Sequence, residues 1–237
     1  MTLKSLARDV MQLFFPRYCW LCGRRLTIGE EHLCTACLLS IPRTGFHLKP
    51  GNIMERRFWG IDPIVKCSSY FFYQREATSS LLLYHLKYYN HPWLGEFLGR
   101  CMAQEILTTS NFFDEVDMIV PVPLHPKKEK QRGYNQCHYI SMGVSSATGI
   151  PIREALVQRT RANDSQTHLS ITERMSNVKD LFKVKMSVDL VGKTILIVDD
   201  VCTTGATILA VMDAFHSIPD VRFQVLTLAV ATVDELV

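Results

Sequence analysis

Long apolar runs are missing from this chain. No stretch of its 237 residues reaches the ~18 uncharged apolar positions of a membrane-spanning helix. The opening TLKSLARDVMQLFF has Leu3, Leu6, Val10 and Leu13 at helical spacing. Lys4, Arg8 and Asp9 interrupt them, which predicts a short amphipathic helix and not a secretion signal. Internal repeats and low-complexity tracts are absent as well. Charge of one sign is nearly balanced by the other, with a net of +3, 21% charged residues and 47% hydrophobic ones, a composition that argues against disorder. These absences point to a globular protein of the cytoplasm, long enough for one α/β domain and a small accessory module.

In that compartment the eight cysteines are expected to be metal ligands or buried thiols before disulfides. Residues 19 to 37 read CWLCGRRLTIGEEHLCTAC, two Cys-x-x-Cys pairs with eleven residues between them. Cys19, Cys22, Cys34 and Cys37 together satisfy a tetrahedral structural zinc site and leave no open position for catalysis. A thioredoxin-like redox pair needs one such motif, not two. His32 is expected at the surface, and Cys67, Cys101, Cys137 and Cys202, which have no partner spacing, as buried or half-buried thiols.

Residues 43 to 63 suggest an irregular connection. A strand is expected at CSSYFFYQ (67–74) and helices at 75–90 and 93–107, broken by Asn90-His91-Pro92. Ten aromatics fall between Phe58 and Trp93, serving either as core or as a surface that stacks on bases. From about residue 112 the pattern becomes strands alternating with helices. The expected order is strand VDMIVPVP, helix GYNQCHYISMGVSSAT, strand PIREALVQ, a basic loop or helix THLSITERMSNVKD, strands LFKV and KTILIVDD, helix TTGATILAVMDAFHSI and strand RFQVLTLAVA. That order predicts a mainly parallel sheet with helices on both faces. Between Pro123 and Met186 eleven Lys and Arg stand against five Asp and Glu, so this middle segment is locally basic.

The segment ILIVDDVCTTGAT carries the most chemistry. Asp199 and Asp200 end an apolar strand, where ligands of open parallel sheets bind. Thr203, Thr204, Gly205, Ala206 and Thr207 then open a helix whose free N–H groups favour a phosphate. Two adjacent carboxylates accept well from the two hydroxyls of a ribose, so a ribose 5-phosphate fits both halves. An ordinary strand, turn and capped helix would account for the threonines and the glycine but not for two consecutive aspartates. A Mg²⁺ site is disfavoured because neighbouring strand residues point to opposite faces.

VDDVCTTGAT closely resembles the phosphoribosyl pyrophosphate (PRPP) loop of type I phosphoribosyltransferases. With VPVPLHPKKEKQRGYNQ, QRTRANDSQTHLSITER, Asn177, Phe182, LKYY (86–89) and the cysteine pairs, nearly the whole chain resembles the ComF/GntX family. The resemblance implies three segments: residues 1–45 as an amphipathic helix and zinc module, 46–110 as a hood, and 111–237 as the transferase-like domain. It implies a PRPP site in which Leu124, His125, Lys127 and Lys128, aided by Arg132, receive pyrophosphate with Mg²⁺. A mobile loop carrying Arg159, Arg161, Gln166 and Arg174 closes over it. It also implies a role in natural transformation, with single-stranded DNA and other DNA-uptake proteins as partners. Two readings stay open, phosphoribosyl transfer to an acceptor the sequence does not name, and a PRPP-binding or single-stranded-DNA-handling protein without turnover.

Overall fold

The computed structural model describes residues 16–61, 63–75, 77–160, 181–185 and 189–231. The N-terminal amphipathic segment and Arg161, Gln166, Arg174 and Asn177 lie outside them. The chain runs from a short helix α1 (Thr35–Ser40) through α2 (Ile53–Arg56) into β1 (Ile64–Tyr73). Two helices follow, α3 (Thr78–Tyr88) and α4 (Pro92–Thr109), then β2 (Met118–Pro121), α5 (Pro126–Arg132) and α6 (Gln136–Thr148). The last part holds β3 (Val157–Arg159), β4 (Phe182–Val184), β5 (Thr194–Cys202), α7 (Ala206–Asp213) and β6 (Arg222–Ala231).

Four strands form one wholly parallel sheet in the order β1-β6-β5-β2. Strand alternation sorts its apolar side chains into two cores. Leu196, Val198, Leu226 and Leu228 pack against α3, α4 and α6 on one face, while Ile195, Ile197, Phe223 and Val225 pack with residues of α7 on the other. Covering both faces is what makes these strands nearly continuous apolar runs, and it matches the expected parallel sheet between helices.

Several sequence expectations change. PIREALVQ is not one strand: only Ile152 bridges to Ile119 at the edge of β2, Glu154–Leu156 forms a 3-10 turn, and Val157–Arg159 pairs with β4 in a separate antiparallel ribbon. The helix expected through Ile218 ends at Asp213, and turns carry Phe215 into the core. Residues 46–110, expected as a hood, share the body of the sheet: β1 is a strand of the central sheet and α4 packs closely along α6. At their crossing Gly99 and Gly143 bring the two backbones together, with no room for a methyl group at either.

The cysteine module joins the same body. Cys19, Leu26, Leu33, Cys34 and Ile41 belong to the core under α4, and Phe72 N–H donates to the Pro42 carbonyl at 3.0 Å. His32 is half-buried and not a surface residue, its ring lying 4.7 Å from Trp20 and edge-on to Phe97. Cys67, Cys137 and Cys202 are buried and Cys101 half-buried, as expected.

Candidate functional site

Strand β5 carries Asp199 and Asp200 to the carboxyl end of the sheet, where both are buried, 8% and 4% exposed. The first turn of α6 straddles the strand end and meets both carboxylates. Gln136 Nε2 donates to Asp200 Oδ2 at 2.8 Å, and the Cys137 thiol donates to Asp199 Oδ1 at 3.3 Å. Asp199 Oδ1 also accepts the Asp200 N–H at 2.8 Å. Burial, with the neighbouring Asp200 charge, pushes the Asp199 carboxyl up to about 7. Lys87, from the last turn of α3, reaches Asp200 Oδ2 at 3.0 Å. Burial acts to lower its pKa, but the charge and hydrogen bond of Asp200, with the nearby Asp199, together raise it.

The strand leads into a small concavity lined by Asp199 and by Thr203, Thr204, Gly205, Ala206 and Thr207. Gly205 holds φ 84° as the N-cap of α7 and has no side chain to cap it; Thr204 Oγ1 accepts the Ala206 N–H at 3.4 Å, and the N–H groups of Thr207 and Ile208 behind it face the concavity as anion donors. The Gly205 requirement has a cause the sequence did not reveal. A Cβ there would stand 2.7 Å from the Phe58 ring, so a residue of the 46–61 segment presses on this turn in addition to the left-handed backbone. Beside it Arg57 donates to the carbonyls of Cys202, at 3.1 Å, and of Thr203 and Ala231. One guanidinium thus clamps the ends of two strands next to the concavity.

On the other side, Leu124 and Arg159 line a cavity of about 390 Å³ together with Pro123, Asn135 and Glu154. His125 lies at its edge in sequence and caps α5, its Nδ1 accepting from Lys127 N–H at 3.2 Å. Lys127 and Lys128 are helical, on α5, and exposed, not part of the loop after VPVP. Arg132 donates to Gln136 Oε1, so a chain of contacts runs from α5 through Gln136 to Asp200 and Lys87. The paired strands β3 and β4 flank the segment expected to carry the loop over the site. A further cavity, about 500 Å³, lies at the amino ends of β1 and β6 between Ile61, Pro63, Phe215 and Phe223. It lies at the end of the sheet opposite to the aspartates, away from the carboxyl ends where open parallel sheets bind ligands.

The sequence found the aspartates and the turn because charges at the end of an apolar strand are conspicuous. Lys87, Gln136 and Arg57 were missed as site residues: each is an ordinary residue type on a helix or at its end, and only the fold brings it to β5. Only the aromatic neighbours of Lys87 gave a signal. The four thiols of Cys19, Cys22, Cys34 and Cys37 lie within 4.8 Å of one another, with Cys22 and Cys34 3.7 Å apart. A tetrahedral zinc with sulfurs at about 2.3 Å sets them roughly 3.8 Å apart, so the donor set fits that ion. Glu30, which no motif marked, braces the module. It accepts from the N–H groups of Thr27 and Thr35 and from Arg24, and those backbone bonds bring its carboxyl down to about 2.

Among the described residues no helix is long and apolar enough to cross a membrane. The phosphoribosyl transferase domain family matches residues 136–228, which hold α6, β5, α7 and most of β6. Over 209 residues the chain is 29% identical to the DNA utilization protein YhgH of Salmonella typhimurium, covering 83% of this chain and 89% of the relative. It is 28% identical over 213 residues to competence protein F of Haemophilus influenzae, covering 84% and 90%. To competence protein ComFC of Bacillus subtilis it is 30% identical over 95 residues, 40% of this chain and 36% of the relative. With the parallel sheet, the aspartate pair at its carboxyl end and the four-thiol cluster, these similarities support the resemblance to the ComF family, with a phosphoribosyl transferase domain behind an N-terminal cysteine module.

Proposed function

We propose that this protein binds PRPP with Mg²⁺ and transfers its phosphoribosyl group to an acceptor, in a role linked to the use of incoming DNA. The observation that carries the reading is the juxtaposition on β5 and α7 of two buried carboxylates with a helix start whose N-cap, Gly205, has no side chain. Asp199 and Asp200 accept from the ribose hydroxyls and fix the sugar. Thr203 to Thr207 and the N–H groups of α7 hold the 5-phosphate. The loop at Leu124 and His125, with Lys127, Lys128 and Arg132 near it, receives the pyrophosphate. Loss of pyrophosphate leaves positive charge on C1 and negative charge on the departing oxygens. The chain's part is therefore to place cations around the leaving group and to keep water out, with little proton transfer required. Arg159, Arg161, Gln166 and Arg174 would supply that cover. Mg²⁺ bound to the pyrophosphate would spread the leaving group's charge. The aspartates already accept protein hydrogen bonds, which suits a metal held mainly by phosphate oxygens.

The link to DNA rests on the names of the relatives and on one surface. Tyr84, Tyr88, Tyr89 and Trp93 are exposed around the end of α3, and Lys127, Lys128 and Lys130 are exposed on α5. Stacking on such rings and phosphate contacts to such lysines suit single-stranded DNA, with the charged part weakening as salt is added. Titration calorimetry with PRPP, with and without Mg²⁺, tests the ribose-phosphate site. Asp200→Asn is expected to weaken binding by about tenfold or more, the value of a charged hydrogen bond; unchanged affinity would put the ligand elsewhere. Pyrophosphate release measured across nucleobases, with and without single-stranded DNA, decides between transfer and binding alone. Fluorescence anisotropy with single-stranded DNA over a salt series tests the second surface, and no binding at low salt would remove it.

A further inference from the structure

Lys87 sits in the site without an established part in it. Its ammonium has three hydrogens to give, and among the described residues its one partner is Asp200 Oδ2 at 3.0 Å. That oxygen is also taken by Gln136, so Asp200 has a second donor and does not depend on Lys87 alone. The side chain is 23% exposed, closed enough to lose much of its hydration and open enough for a ligand to reach it. The position is built and not incidental. Tyr134, itself buried, donates its hydroxyl to the Leu86 carbonyl and so fixes the last turn of α3 beside β5. A partly desolvated cation with two unmet hydrogens is costly unless water or a ligand supplies acceptors.

On the ribose 5-phosphate reading, what lies next to Asp200 follows from the sugar. Its hydroxyls are on C2 and C3, and C2 is bonded to C1, so the group beside the carboxylates is the substituent on C1. We propose that Lys87 is a ligand-contacting residue that gives its spare hydrogens to the oxyanion on C1, the phosphate nearest the bond that breaks. The hood helix would then do more than cover the site. It would place a cation where negative charge develops, and it would distinguish a ribose bearing a C1 phosphate from one bearing a hydroxyl. This inference rests on the proposed ribose-phosphate site.

The test compares PRPP with ribose 5-phosphate, which shares the diol and the 5-phosphate but lacks the C1 phosphates. Both affinities are measured by calorimetry for the whole protein and for Lys87→Gln and Lys87→Arg, with a thermal melt of each. Lys87→Gln is expected to weaken PRPP by about tenfold or more while changing ribose 5-phosphate by much less. Lys87→Arg, which keeps a cation beside Asp200 and so protects the fold if the Gln variant fails, should show the same asymmetry at smaller size. Equal losses for both ligands would mean that Lys87 only balances the Asp200 charge, and the proposal falls. No loss for either ligand overturns it too. Failure of the unaltered protein to bind either ligand would remove the ribose-phosphate site itself, a result distinct from the other two.

Discussion

Asp199 shows how a residue of the proposed site is kept at the expense of stability. Its carboxyl is held at about 7 by burial, with the Asp200 charge adding to it, against an ordinary value of 3.8. An acid whose folded pKa lies above its unfolded one holds more protons folded than unfolded. Stability therefore falls as pH rises from about 4 to about 7 and is level above that. Asp199→Asn keeps an oxygen for the Cys137 thiol and the Asp200 N–H but has nothing to ionise. The Asn variant should thus gain on the unaltered protein across that range, by an amount on the order of a few kcal/mol at pH 8, while binding PRPP less well. Thermal melts from pH 4 to pH 8 read the difference directly, and a difference that does not grow with pH would contradict the buried, raised carboxyl. The aspartates were legible in the sequence because nothing bland explains two adjacent charges closing an apolar strand. Lys87 was not, since a lysine near the end of an amphipathic helix looks solvated until α3 is packed against β5.

At the scale of elements, the contact between α4 and α6 sets where the site's first turn lies. A Cβ on Gly143 would stand 2.0 Å from the Glu96 carbonyl oxygen, and one on Gly99 2.2 Å from that of Ile140. Both obstacles are backbone, so neither can rotate away. Gly143→Ala must push α6 off α4, and with it Gln136 and Cys137 at the start of the same helix. The expected cost is at or above the top of the ~1–3 kcal/mol that overpacking takes, a fall in melting temperature of roughly 10 °C for a chain of this size. A melt of Gly143→Ala within a degree of the unaltered protein would show that the helices do not cross so closely. Adding Gly99→Ala should cost less than its separate effect, because one displacement relieves both clashes. Helical periodicity announced both helices, but not this crossing: a glycine within a helical pattern reads as a weakness until a partner backbone is found lying on it. The strand expected at PIREALVQ failed for a related reason. Its apolar residues serve two structures, Ile152 at the edge of β2 and Val157 in the ribbon with β4, and the turn between them leaves no trace in the alternation.

For the whole molecule the question is whether the cysteine module is an appendage or part of the body. Its spacing announced four metal ligands and said nothing of attachment. Trp20, inside the first knuckle, stacks on His91 with ring centres 4.0 Å apart, and Glu31 pairs with Arg100 of α4 at 2.5 Å. The chain leaving the module runs beside β1, where Thr44 N–H donates to the Tyr70 carbonyl. His91 precedes α4, and His85, on α3 with Lys87, lies 5.8 Å from it ring to ring, so the contacts continue toward the site. A module joined by shared core, stacked rings and an ion pair should unfold with its host, not before it. Zinc held by four thiolates binds the folded chain far better than the unfolded one, and its removal withdraws that stabilisation from the whole cooperative unit. We therefore expect the purified protein to carry one zinc, and stripping it under reducing conditions to lower a single melting transition and weaken PRPP binding together. Metal content by elemental analysis and calorimetric melts before and after chelation decide the matter. If chelation splits off a small early transition and leaves the main one and the PRPP affinity unmoved, the module is an independent unit and the path through Trp20 carries no coupling.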